Sequence, residues 1–98
     1  MADVIISAGA EDDLAEAYRY NSRAAPRSVD AWLARINASV QTLETSPERC
    51  AVVENTAAYG FEVRELLFGK HRGTYRIRFR IRDSTVIVLS IRRATRDG

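Results

Sequence analysis

From residue 74 to residue 82 the chain reads Thr-Tyr-Arg-Ile-Arg-Phe-Arg-Ile-Arg, which sets Arg76, Arg78, Arg80 and Arg82 at every second position. Successive side chains of an extended strand point to opposite faces. The spacing therefore puts all four guanidiniums on one face and Tyr75, Ile77, Phe79 and Ile81 on the other. The planar fork of an arginine donates paired hydrogen bonds to a phosphate or a carboxylate and stays charged at any physiological pH. The chemistry on offer is recognition of an anion. Proton transfer has fewer candidates. His71 is the only histidine, the side-chain type suited to proton transfer, but Gly69-Lys70-His71-Arg72-Gly73 reads as an exposed turn. Tyr75 alternates into the core, and nothing in the sequence aims Glu54 or Glu62 at an arginine. Cys50 is the single cysteine and has no His or Cys neighbour at metal-ligand spacing, so it reads as a buried thiol. No Ser-His-Asp set, phosphate-binding Gly loop or metal-ligand pattern occurs, and neither a metal nor a cofactor is expected.

The charge around these residues is uneven. Residues 1–63 hold five arginines against ten acids, a balance of −5, whereas residues 64–98 hold ten cations against three acids, a balance of +7. The near-neutral total of +2 hides a basic C-terminal third, for which a polyanionic partner is expected: nucleic acid or an acidic protein segment. Ninety-eight residues make one domain with a single core and little spare stability. No apolar run approaches the length of a membrane span, and Met1-Ala2-Asp3 lacks the basic start of a signal peptide. With a lone cysteine, a reducing cytoplasm is the expected location.

The elements that must hold the arginine row are set by hydrophobic period. Val4-Ile5-Ile6 is a short β-branched run, and Ser7 offers a hydroxyl N-cap to a helix starting just after it. Ala10, Leu14, Ala17 and Tyr18 then fall on one helical face, with Glu11, Asp12 and Asp13 in the first turn, where the helix dipole favours acids. Ala25-Pro26 ends this helix, and Pro26 can open the next. Val29, Trp32, Leu33, Ile36, Val40 and Leu43 make the clearest apolar stripe in the chain, stopped by Ser46-Pro47. Residues 47–60 show no period and read as a loop. Phe61 to Leu66 reads as a strand, Thr74 to Arg82 as a half-buried one, and Thr85 to Ile91 as a central strand covered on both sides. Asp83-Ser84 is the turn between the last two. From Arg92 onward the chain reads as a polar tail. The order is β-α-α-β-β-β: an α+β fold with a helical hairpin on one face of a small, mainly antiparallel sheet. Two helices cover one face only, so the arginine row is expected on the open face.

Val63-Arg64-Glu65-Leu66, Gly73-Thr74-Tyr75-Arg76-Ile77 and Val86-Ile87-Val88-Leu89-Ser90-Ile91, in this order and spacing, resemble the RelE/ParE toxin superfamily, as does the order of elements over essentially the whole chain. The resemblance implies that residues 1–98 form one toxin domain of a bacterial type II toxin–antitoxin pair, of the kind that stabilises plasmids and arrests growth. It implies a cytoplasmic protein neutralised by a cognate antitoxin, with DNA contacted only through that antitoxin and no membrane partner.

Two mechanisms occur on this fold: ParE-like inhibition of DNA gyrase without catalysis, and RelE-like cleavage of mRNA in the ribosome without a metal. Under the endonuclease alternative, Arg76 matches the arginine that stabilises the phosphate, Arg64 stands where a lysine can occur, and His71 is left to move a proton. Two departures weigh against it. Glu62 falls where a basic residue is often found, and after Ile91 the chain reads Arg-Arg-Ala-Thr-Arg-Asp-Gly, without the terminal Tyr or His of many such nucleases. Gyrase inhibition is thus the first expectation, the mRNA endonuclease the second, and a degenerate toxin that only binds its antitoxin the third. Antitoxin or target is expected to contact Arg76, Arg78, Arg80, Arg82, Arg92 and Arg93.

Overall fold

The computed structural model describes residues 1–54 and 56–94, with the side chain of Arg72 excepted. The chain opens with β1 (Asp3–Ile6) and turns directly into α1 (Ala8–Ala24). Ser7 caps this helix, its hydroxyl accepting the Ala10 N–H at 3.1 Å. After the turn at Pro26 comes α2 (Val29–Gln41), one turn later than a proline-opened helix would begin, and its stripe runs on into a 3-10 turn, Thr42–Glu44. Tyr18 ties the hairpin together by donating to Asp30 at 2.9 Å.

The remaining strands are β2 (Ala51–Val52), β3 (Arg64–Phe68), β4 (Tyr75–Arg82) and β5 (Thr85–Arg93), and the sheet order is β1-β5-β4-β3-β2. β1 runs parallel to β5, and every other pair is antiparallel. The helical hairpin carries the chain from β1 to β2 at the opposite edge, and the antiparallel run β2-β3-β4-β5 then brings β5 back beside β1 in the parallel sense. The helices bury one face. Val29, Trp32, Ile36, Val40 and Leu43 pack on Tyr75, Ile77 and Phe79 of β4 and on Val86, Val88 and Ile91 of β5. Trp32 meets Phe68 edge-on and Tyr75 at a tilt, and the Tyr75 hydroxyl accepts from Asn21 Nδ2 at 3.0 Å. Tyr75 is thus a core residue with a satisfied hydroxyl.

Three details differ from the sequence reading. β2 lies within the segment read as loop, because two residues carry no period. β3 starts at Arg64 rather than Phe61, since residues before it leave the sheet. β5 is covered on one side only: Val86 and Val88 are buried, while Ile87 and Leu89 on the other face remain half-exposed. A bulge accounts for part of this. Arg78 pairs with Ser90 and Phe79 with Val88, so Leu89 is an extra residue that locally breaks the alternation. β5 also extends through Arg92 and Arg93, at the start of the stretch that reads as a polar tail; the last four residues lie outside the described ones.

Candidate anion-recognition face

Strand alternation sends Arg76, Arg78, Arg80 and Arg82 to the face opposite the helices, as their spacing requires. That face is less open than two helices alone would leave it. The segment between β2 and β3 folds over it as a strap, held by Val53 N–H on Val63 O at 2.8 Å and by Thr56, whose hydroxyl donates to Phe61 O and accepts from Val63 N–H. Gly60, at φ +79, lets the strap reverse where a side chain would be strained. Two aromatic rings then engage the arginine row. Tyr59 accepts from Arg78 Nη1 at 3.2 Å, and the Arg80 guanidinium lies 3.8 Å over the Phe61 ring.

The four arginines therefore differ. Arg78 is held on two sides, by Tyr59 and by Glu65, which it meets at 3.0 Å. Both partners favour its charged form and push its pKa up, against the opposing effect of burial. Arg80 rests on Phe61, with a buried Nε that has no acceptor. Arg82 is exposed at the hairpin end. Arg76 is half-buried and, among the described residues, makes no hydrogen bond or ion pair. It borders two recesses. One, of about 550 Å³, is shared with Tyr59, Arg78, Ser90 and Arg92; the other, of about 340 Å³, is shared with Val52, Glu54, Glu65 and Arg78. Arg92 stands directly across from Arg76 on β5, while Arg93 turns to the helix side and stacks 4.5 Å over Tyr20.

The remaining candidates are dispersed. Arg64 pairs with Phe79 and shares the helix-covered face, the opposite one from Arg76. Its guanidinium donates to the carbonyls of Glu48 and Cys50 at 2.9 and 2.6 Å and to Glu62 at 3.2 Å. His71 sits exposed in the turn between β3 and β4. That turn depends on Gly69, where a Cβ would collide with the Gly73 carbonyl. Arg76, Arg64 and His71 thus lie on one face, the other face and a hairpin tip. Among the described residues no group of His, Cys, Asp and Glu could hold a metal ion, and no helix is long and apolar enough to cross a membrane. Sequence reasoning missed Tyr59, Phe61 and Glu65 as the residues that divide the arginine row. Two aromatics flanking Gly60, where the segment without period ends, were the only signal.

A solved chain described as the chromosomal ParDE TA system from P. aeruginosa superposes on this fold with a TM-score of 0.74 at 20% identity, covering 97% of this chain and 98% of that one. No curated protein matches the chain. The family model for the ParE toxin of the type II toxin–antitoxin system parDE matches residues 4–98. With nearly its whole length matched, the chain belongs to the ParE toxin family of type II toxin–antitoxin systems.

Proposed function

We propose that this ParE-family toxin arrests growth by binding DNA gyrase, without catalysing a reaction of its own, and that a cognate antitoxin silences it by covering the arginine-bearing face. The observation that carries the non-catalytic reading is the separation of Arg76 from Arg64. RNA cleavage by attack of a 2′-hydroxyl needs a base, an acid and phosphate stabilisation converging on a few ångströms. Arg64 is instead turned to the other side of the sheet, its two Nη atoms engaged by carbonyl and carboxylate acceptors. The antitoxin part rests on Arg76 and Arg92, two cations facing each other at the rim of a recess. An acidic segment would relieve their repulsion.

The test is to induce the chain in a bacterium without its antitoxin and follow two readouts: new mRNA ends by primer extension, and plasmid supercoiling with purified gyrase. Growth arrest with intact messages and impaired supercoiling is the expected outcome. Translation-dependent mRNA cleavage abolished by Arg76→Ala would overturn it in favour of the endonuclease.

A further inference from the structure

Away from the arginine row, on the helix-covered side, a second group of cations stands beside aromatic rings. β2 pairs only with Arg64 and Glu65, so residues 66–68 of β3 have a strand on one side alone. Over this edge α2 lays Trp32, whose ring centroid lies 6.4 Å from that of Phe68 and 5.6 Å from that of Tyr75. The turn from β3 to β4 closes tightly, with Gly69 against the Gly73 carbonyl. Between helix and turn lies a recess of about 330 Å³, lined by Trp32, Arg35, Phe68, Gly69, Lys70 and Gly73.

Three of its groups lack a partner on the molecule. Arg35 and Lys70 are exposed and, among the described residues, make no hydrogen bond or ion pair. One turn from Arg35 stand Ala31, Trp32, Ala38 and Ser39, none of them an acid, and Lys70 is followed by His71 and Arg72. Asp30 is taken by Tyr18, and Glu65 by Arg78 on the other face. The third group is the Trp32 indole N–H. A ring this deep, 9% exposed, ordinarily finds an acceptor for it, yet here it donates to nothing and is not sealed from solvent.

Small-molecule sites combine apolar walls with a few placed polar groups, and this recess has that composition. Its aromatic walls select a flat ring system, and its size admits one such system with a short polar extension. One cation would match a lone carboxylate. Two unpaired cations match a phosphate monoester, which carries about −1.5 to −2 charges at neutral pH and three acceptor oxygens.

We infer that the recess binds a nucleoside monophosphate, with the base against Trp32 and Phe68 and the phosphate on Arg35 and Lys70. The indole N–H supplies a donor for a ring nitrogen or carbonyl of the base. The arginines of β4 face the opposite side of the sheet, so this site is separate from the one proposed for the antitoxin and does not rest on it.

The experiment titrates the full chain with adenosine monophosphate and follows tryptophan fluorescence, which reports on this recess because Trp32 is the only tryptophan. A saturable change is expected, with a rise in melting temperature at saturating ligand. Adenosine, which lacks the phosphate, should bind about tenfold more weakly or worse. Arg35→Ala and Lys70→Ala should each weaken the monophosphate roughly five- to thirtyfold and leave adenosine unchanged, so that the preference for phosphate shrinks in both. Phe68→Leu, which keeps an apolar wall but loses the ring, should weaken both ligands alike. Arg19→Ala, exposed on α1, should bind as the parent does. Circular dichroism checks the folding of each variant. No saturable change with the adenine, guanine, cytosine or uracil monophosphate at millimolar concentration would overturn the site. Undiminished binding by folded Arg35→Ala and Lys70→Ala would do the same. Capture of a short oligonucleotide through Arg35 and Lys70, with the monophosphates inert, would overturn the free nucleotide and assign the recess to a strand.

Discussion

Arg64 ends among acceptors that the local backbone leaves over. β2 is only two residues long, and the carbonyls of Glu48 and Cys50, in the turn leading to it, receive the Arg64 guanidinium. Hydrogen bonds to a charged group contribute about 1.5–3 kcal/mol, less here because the buried Nε goes without an acceptor. Arg64→Ala should therefore lower unfolding free energy by about 2 kcal/mol in urea titration, whereas Arg76→Ala should change it by under about 0.5 kcal/mol. Equal effects of the two would remove the distinction between a structural and a recognition arginine. Cys50, beside Arg64, adds a pH prediction. Burial raises its thiol pKa, outweighing the pull of Arg49 and Arg64 in the other direction. The folded state holds this proton more tightly than the unfolded chain. The associated stability is thus complete below the ordinary thiol value of about 8.5 and is lost as pH rises through the higher folded value. Urea midpoints should fall above about pH 8.5, and Cys50→Ala should fall less steeply than the parent.

Elements show how a nine-residue strand is kept from exposing its edge. β1 covers only the first half of β5, and α1 takes over where β1 stops. Asp13 accepts the Ile91 N–H at 3.0 Å, and the Ser7 hydroxyl reaches Leu89 O at 3.4 Å. A carboxylate that reads in sequence as a helix-dipole acid is, in the fold, the partner of a strand edge. Asp13→Ala should cost about 1–2 kcal/mol, and amide exchange should localise the damage, with Ile91 exchanging faster while core amides of β4 change only with global stability. Uniform acceleration would mean that Asp13 does not guard the edge. The same example shows what sequence can carry. The stripe from Val29 to Leu43 and the alternation from Tyr75 to Arg82 are local and periodic, so helix, strand and arginine face are legible without coordinates. The bond from Asp13 to Ile91 and the strap contacts of Tyr59 and Phe61 join residues far apart in sequence. They depend on where the sheet brings its parts, and no period announces them.

At the scale of the whole molecule, the uneven charge becomes a polarity in space. The acids of residues 1–63 include Glu11, Asp12 and Glu16 on α1, while β4 turns Arg76, Arg78, Arg80 and Arg82 to the face opposite the helices. The body measures 39 × 31 × 23 Å, so its two sides lie farther apart than the screening length of about 8 Å at physiological salt. A partner approaching the open face meets the arginine row first. Such a field orients an acidic partner before contact and raises the association rate more than it slows dissociation. The consequence can be separated from that of close contact. Stopped-flow association with the cognate antitoxin should slow about tenfold or more between about 50 and 500 mM NaCl, with dissociation changing far less. Arg82→Glu, at the exposed end of the row, should act on association, whereas Arg76→Ala should act mainly on dissociation, because its contact forms only once the partner is seated. An association rate indifferent to salt, with both variants altering dissociation alone, would leave the face a contact surface and remove its steering role.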